Sequence, residues 1–202
     1  MKATIGEDVE SYYKLHAQIY DATRWTFLFG RNCLVEQLSR RLNAQNILEV
    51  GCGTGQNLVA LARAFPTAKL TGLDLSSEML AFAERNNHSH RDRLSLVQGR
   101  YERPIDGPYD LVLFSYALSM FNPGWEMAID AAQEQVAGGY VAVVDFHDTP
   151  VPLFRSWMAM NHVQMDCHLL PRLEKKFERV DGRVRAAWVG LWRYFTFIGK
   201  AK

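Results

Sequence analysis

Glu49, Gly51, Gly53 and Gly55 stand at alternate positions at the end of a short apolar run, Ile47, Leu48 and Val50, and a helical pattern through Leu58, Leu61, Ala62 and Phe65 follows directly. The order is strand, tight turn, helix. Glycine adopts backbone angles that a Cβ forbids and admits a ligand close to the main chain, while a new helix offers unpaired N–H groups at its start. A nucleotide-like cofactor is expected there. A second group is Asp74, which ends the apolar run from Lys69, 23 residues after Gly51. A carboxylate at this point of a nucleotide-binding sheet accepts hydrogen bonds from ribose hydroxyls. Capping the helix that begins near Ser76 is its alternative role, and Ser76 or Ser77 can do that instead. A third group, Asp145, His147 and Asp148, stands at the end of the strand Tyr140 to Phe146 and suits proton transfer or substrate contact, although a His at such a place is often purely structural.

Around these residues, Cys33 to Leu42 reads as an amphipathic helix, and strands are expected at 46–50, 69–74, 94–97, 109–116 and 140–146. Met79 opens the helix after Asp74, Arg100 and Tyr101 follow the third strand at Gly99, and Ser115, Tyr116 and Ser119 close the fourth. Asn122 to Ala137 is expected to be helical and to end at Gly138-Gly139. Val151 to Met165 is expected to be a helix rich in Met and Trp. It is either core or a soft apolar surface for acyl chains. Two final strands, 176–180 and 185–198, are expected to join at Asp181-Gly182, giving seven in all.

Ahead of the first strand, residues 9 to 29 recur at helical spacing and carry Tyr12, Tyr13, Tyr20 and Trp25 with His16, Arg24 and, just beyond, Arg31. Such a helix has no place inside a doubly wound sheet. It is expected to lie over the carboxyl edge as a lid with ligand contacts, the alternative being plain cover.

The 202 residues, 48% of them hydrophobic, suit a single domain, with 1–44 as lid and first helix and 45–202 as core. Net charge is +1, but residues 1–171 carry −5 and residues 172–202 carry +6. The basic end is a solvated pair of edge strands or a surface for an anionic partner. Cys33, Cys52 and Cys167 form no disulfide pattern, which argues for a reducing compartment. His88 and His90 lack companions at metal-ligand spacing, so no metal is expected. Nothing reads as a membrane span or signal peptide, and no basic, aromatic-interleaved face suggests nucleic acid. A cytoplasmic protein is expected, with peripheral contact on the inner face of the membrane.

Glu49-x-Gly51-x-Gly53-x-Gly55 after a buried strand resembles motif I of the class I S-adenosylmethionine (SAM) methyltransferases. The five β-α units and terminal hairpin resemble their fold: α/β, Rossmann-like, seven-stranded, with an antiparallel last strand, here with an N-terminal helical lid. The resemblance implies that the glycines flank the methionine moiety, that Glu49 orients it, and that Asp74 holds the ribose. Ser115 would then lie near the methionine end, and Met79, Arg100 and Tyr101 near the adenine. Arg100 departs from the pattern, standing where many members have an acid.

Three further stretches, Tyr13 to Arg31 (with Tyr20-Asp21-Ala22-Thr23-Arg24-Trp25), Val144 to Asp148 and Trp192 to Gly199, are similar to bacterial methyltransferases that make the betaine lipid diacylglyceryl-trimethylhomoserine, and to phosphatidylethanolamine N-methyltransferases. This implies N-methylation of a lipid headgroup amine. Tyr20, Asp145 and His147 would be catalytic; Tyr12, Tyr13, Arg24, Trp25, Arg31 and Tyr116 would contact the substrate. Aromatic faces suit a quaternary ammonium product, and an Arg fork suits a headgroup carboxylate. A methyltransferase for another lipid or a soluble acceptor, and a SAM-binding module without turnover, are the alternatives.

Overall fold

Leu111–Ser115 is buried at every position because both of its faces are covered, and its neighbours show why. In the computed structural model, which describes residues 28–202, successive side chains of the central strands feed two separate cores. Ile47, Leu111, Leu113, Ala142 and Val144 point to one, with Leu34, Val35 and Leu38 of α1 (Arg31–Arg41) and Leu58, Leu61 and Ala62 of α2 (Gln56–Ala64). Leu48, Val112, Phe114, Val141 and Val143 point to the other, with Ala128, Ile129 and Ala132 of α4 (Trp125–Gln135). This two-sided burial is what the near-continuous apolar runs encode.

The strands are β1 (Asn46–Val50), β2 (Lys69–Asp74), β3 (Leu94–Gln98), β4 (Leu111–Ser115), β5 (Tyr140–Asp148), β6 (Phe177–Ala187) and β7 (Trp192–Ala201). They form one sheet in the order β3-β2-β1-β4-β5-β7-β6. β1 pairs in parallel with β2 and β4, β2 with β3, and β4 with β5, whereas β7 runs antiparallel to both β5 and β6. The expected seven-stranded α/β sheet with an antiparallel last strand is therefore present. Strand order reverses between β1 and β4, and at such a switch point the carboxyl ends of the strands leave a crevice. Both the glycine turn after β1 and Ser115 at the end of β4 border it.

Several sequence expectations are corrected. The final hairpin does not turn at Asp181-Gly182: β6 runs on to Ala187, and the pairing slips between Arg179 and Asp181, so the dipeptide is paired inside the ladder directly after a bulge at Val180. The turn is Trp188–Gly190, with φ of 45° and 55° at Trp188 and Val189. A short helix, α6 (Leu169–Lys176), went unforeseen because Pro171 reads as a breaker. In a helix's first turn, however, proline removes no hydrogen bond, and Leu169 and Leu173 are buried four apart. The Met- and Trp-rich helix, α5 (Pro152–Met160), stops at Asn161 before His162 at φ 62°, rather than reaching Met165. The helix expected from Asn122 starts only at Trp125, after Pro123 and Gly124. β5 is two residues longer than expected, which brings His147 and Asp148 inside the strand rather than beyond it. The proposed lid helix lies outside the described residues apart from its end. Among the described residues, no helix is long and apolar enough to cross a membrane.

Candidate cofactor and acceptor site

The turn after β1 is held by contacts that only its own sequence permits. Gly55 caps α2 in the left-handed region at φ 76°, and a Cβ there would lie 2.6 Å from Asn87 Nδ2 and 3.0 Å from the Ala83 Cα. Asn87 Nδ2 donates to the Gly55 carbonyl at 3.0 Å, and Asn86 Nδ2 to that of Thr54 at 2.9 Å. The end of α3 (Ser77–Asn86) therefore braces the turn. Nothing in the sequence flags this role, because two asparagines after a helix look the same when they are merely solvated.

Asp74 closes the turn from the other side. Its Oδ2 accepts from the Gly53 N–H at 2.8 Å and its Oδ1 from the Ser76 N–H at 3.0 Å. Helix capping falls to Ser76, whose Oγ accepts from the Met79 N–H at 3.2 Å. Asp74 thus does not cap that helix by its side chain, and the lone pairs left on its two oxygens remain for a ligand.

Two clefts meet at Gly51. The inner one is lined by Arg31, Glu49, the glycine turn, Asn57 and Ser115. The outer one, of about 330 Å³, is lined by Asp74, Leu75, Gly99 to Glu102 and Met120 to Gly124. Glu49 is 1% exposed. Asn57 Nδ2 donates to its Oε1 at 2.8 Å, while Oε2 is buried with no hydrogen-bond partner among the described residues. Burial pushes the Glu49 carboxyl up to about 8, against the bond from Asn57 and the nearby charge of Arg31. Ser115 Oγ and Tyr101 Oη are likewise buried without partners among the described residues. Gly53 and Gly99 border open space, where a Cβ would meet no atom within 4 Å. Buried acceptors and hydroxyls left open beside two clefts that share Gly51 fit a polar ligand, with the Glu49 carboxyl suited to a cationic group.

Of the residues singled out from sequence, Glu49, Gly51, Gly53, Ser115 and Arg31 come together in the inner cleft, and Gly51, Asp74, Arg100 and Tyr101 in the outer one. Met79 lines neither; Leu75 is the apolar residue presented instead. Arg100 is exposed and lies 3.9 Å from Glu102, which supplies to the outer cleft an acid that the sequence pattern seemed to lack. Tyr116, at φ 54°, is buried and donates its hydroxyl to the Phe29 carbonyl at 2.7 Å. Burial raises its hydroxyl pKa well above the usual tyrosine range.

The group on β5 divides. Asp145 is fully buried, its Oδ2 accepting from the Ser119 N–H at 3.1 Å and its Oδ1 from the Phe146 N–H at 2.8 Å. Burial pushes it up to about 6. It lines neither cleft, nor does His147, and it braces the segment after β4 from a buried position. His147 is partly exposed, and its Nδ1 is buried without a partner among the described residues. Its pKa is lowered, first by desolvation. Asp148 accepts from Arg193 through both oxygens, and its pKa is lowered chiefly by that guanidinium. His147, Asp148 and Cys167 lie close enough to bind a metal, but the Arg193 charge already sits where a cation would. Tyr12, Tyr13, Tyr20, Arg24 and Trp25 lie outside the described residues.

With this geometry in hand, comparison with known proteins is specific. Residues 47–139 match the family model described as a methyltransferase domain. The matched stretch contains the glycine turn, Asp74, both clefts' strand ends and α4. A malonyl-[acyl-carrier protein] O-methyltransferase of Priestia megaterium is 37% identical over 110 residues, covering 53% of this chain and 39% of that protein. A release factor glutamine methyltransferase of Geobacter sulfurreducens is 35% identical over 79 residues, 39% of this chain and 28% of that one. The chain spans less than half the length of either relative. Among solved structures, the N-methyltransferase NodS of Bradyrhizobium japonicum in complex with S-adenosyl-L-homocysteine superposes with a TM-score of 0.70 at 17% identity, covering 85% of both chains. A geranyl diphosphate C-methyltransferase of Streptomyces coelicolor gives 0.69 at 12% identity, covering 84% of this chain and 80% of the other. The fold is thus shared with enzymes whose acceptor atoms differ. The named relatives do not include a betaine-lipid enzyme, and all three stretches behind that narrower resemblance, residues 13–31, 144–148 and 192–199, lie outside the matched residues.

Proposed function

We propose that this protein is a SAM-dependent N-methyltransferase that acts on the amine of a lipid headgroup, diacylglyceryl-homoserine being the acceptor that the sequence resemblance favours. SAM is the cofactor; when bound, it supplies a methyl group on a sulfonium ready for displacement. In this reading Glu49 and Arg31 hold the ammonium and carboxylate of its methionine end beside Ser115. Asp74 accepts from the ribose hydroxyls. Tyr101 and Glu102 flank the adenine. The remaining work is to align a neutral amine and exclude water.

The observation that carries the lipid reading is the bond from Tyr116 to the Phe29 carbonyl. Phe29 packs on Tyr194, Trp192 and Trp188, with ring centroids 6.2, 6.1 and 6.5 Å away; Phe29 and Trp188 are exposed, and Phe29 follows Leu28, which lines the inner cleft. An acceptor with acyl chains suits such a surface, and aromatic faces suit its methylated ammonium. His147, partly exposed and with a pKa lowered chiefly by desolvation, is the proton acceptor on β5 in this proposal, since Asp145 is fully buried. Tyr20, Tyr12, Tyr13, Arg24 and Trp25 complete the acceptor contacts in this proposal. Docking against the inner face of a membrane belongs to the same reading.

A second reading, O-methylation of a carboxylate on an acyl carrier, draws support from the curated relatives. One experiment separates them. Radiolabelled SAM is incubated with a total lipid extract and, separately, with a malonylated acyl carrier protein. Label in an amine-containing lipid supports the proposal, label on the carrier replaces it, and SAM binding without transfer to either indicates a regulatory module.

A further inference from the structure

The carboxyl edge of the sheet carries an apolar surface that the protein's own packing leaves uncovered. On α5, Leu153, Trp157 and Met160 follow at i, i+4 and i+7, and all are exposed, Leu153 at 81%. The inward side of the helix is different: Met158 is buried, and Phe154 stacks on Trp192 with centroids 5.5 Å apart. Met158, which the sequence offered as part of an apolar surface, is therefore core.

The β6–β7 turn stands beside α5, since Thr149 just ahead of that helix donates its hydroxyl to the Leu191 carbonyl at 2.6 Å. At its tip Val189, fully exposed at 109%, is held at φ 55°. A β-branched residue at positive φ is strained, and a turn serving stability alone favours Gly or Asn there. An apolar side chain is instead presented to the outside.

Charge selects the occupant. Residues 149–165 and 182–202, which build this face, contain no Asp or Glu but include Arg155, Arg183, Arg185 and Arg193. Arg193 is tied to Asp148; Arg183 and Arg185 are exposed on the edge strand β6. A second copy of the chain would oppose this positive face with its like. An anionic bilayer offers an apolar phase and negative charge together.

We propose that α5 and the β6–β7 turn dock on an anionic lipid surface, with Leu153, Trp157 and Val189 entering the headgroup boundary and Arg183 and Arg185 meeting lipid phosphates. Phe29, between Trp188 and the Tyr116 hydroxyl, ties this face to the site mouth, so docking brings the inner cleft to headgroup level. The use of this surface rests on the lipid-headgroup reading. Its existence is measured without turnover.

The test is flotation of the full chain with phosphatidylglycerol–phosphatidylcholine vesicles, against vesicles of phosphatidylcholine alone. Binding to the anionic vesicles is expected, reversed by about 0.5 M salt. The double variant Leu153→Ser with Val189→Ser, whose fold is checked by its melting temperature and SAM affinity, should bind about tenfold less. Failure of the wild-type chain to float at low salt overturns the proposal, as does equal flotation of the double variant. Loss of a concentration-dependent dimer in that variant would instead assign the face to a second copy. Vesicle binding with no methylated lipid leaves the surface standing and removes the lipid-headgroup reading, and methylation of detergent-dispersed lipid without flotation does the reverse.

Discussion

Gly53 and Asp74 are joined across the first two strands: the Gly53 N–H donates to Asp74 Oδ2 at 2.8 Å, and the second carboxylate oxygen takes the Ser76 N–H. One side chain thereby sets the shape of the glycine turn and the start of α3, in addition to any contact it makes with a ligand. Hydrogen bonds to a charged acceptor contribute about 1.5–3 kcal/mol each. Asp74→Ala is expected to raise the SAM dissociation constant about 10- to 100-fold and to lower the melting temperature. Asp74→Asn should behave nearly as badly, because its amide nitrogen meets one of the two N–H donors. Calorimetric titration checks both; an alanine variant within about twofold of wild type would remove Asp74 from the site.

Glu49 gives the protein a pH dependence with a definite sign. Its carboxyl titrates at about 8 when folded and near 4.5 when exposed, so between these values the folded state holds the extra proton. Stability without cofactor should fall as pH rises through this window, by at most about 1.4 kcal/mol per pH unit from this group. Asp145, pushed up to about 6, adds the same sign below pH 6. Urea denaturation of Glu49→Gln should show the slope above pH 6 removed. Because an ammonium beside Glu49 favours its ionised form, wild-type SAM affinity should rise with pH toward 8, and a flat affinity profile would detach Glu49 from the cofactor.

Gly55 and Asn87 form a tightly coupled pair. Gly55→Ala places a methyl 2.6 Å from Asn87 Nδ2 and holds an L-residue at φ 76°. The strain and the disturbed buried hydrogen bond together predict a loss of about 2–4 kcal/mol. Adding Asn87→Ala removes part of the clash, so the double variant should lose less than the sum of the singles. Strict additivity in denaturant midpoints would show that Asn87 does not brace the turn.

Legibility in the sequence followed how local each signal was. Strand β4 could be read because burial on both faces demands apolar residues throughout, and Glu49 to Gly55 because a turn that takes a ligand demands glycine. Asp181-Gly182 misled because a dipeptide suited to a hairpin turn also fits beside a bulge, and only its pairing with Ile198 and Phe197 tells the two apart. The true turn at Trp188 and Val189 carries no turn residues besides Gly190. Asn86, Asn87 and Glu102 reach the site through tertiary approach, which no spacing along the chain records.

Tyr116 links the cofactor side of the site to its mouth through one hydroxyl. Tyr116→Phe keeps the ring against Phe146, 4.7 Å away between centroids, and removes only the bond to the Phe29 carbonyl. The loss in stability should be about 0.5–1.5 kcal/mol, since a single neutral hydrogen bond is given up. SAM affinity should stay within about twofold, because that hydroxyl is committed to Phe29 rather than to either cleft. The acceptor KM, by contrast, should rise several-fold as Phe29 loses its tether and the aromatic mouth loosens. Initial-rate kinetics with the lipid acceptor read this split between cofactor and acceptor constants. A parallel loss of SAM binding would mean that Tyr116 orders the cofactor turn, and unchanged kinetics would mean that the Phe29 mouth has no part in acceptor binding.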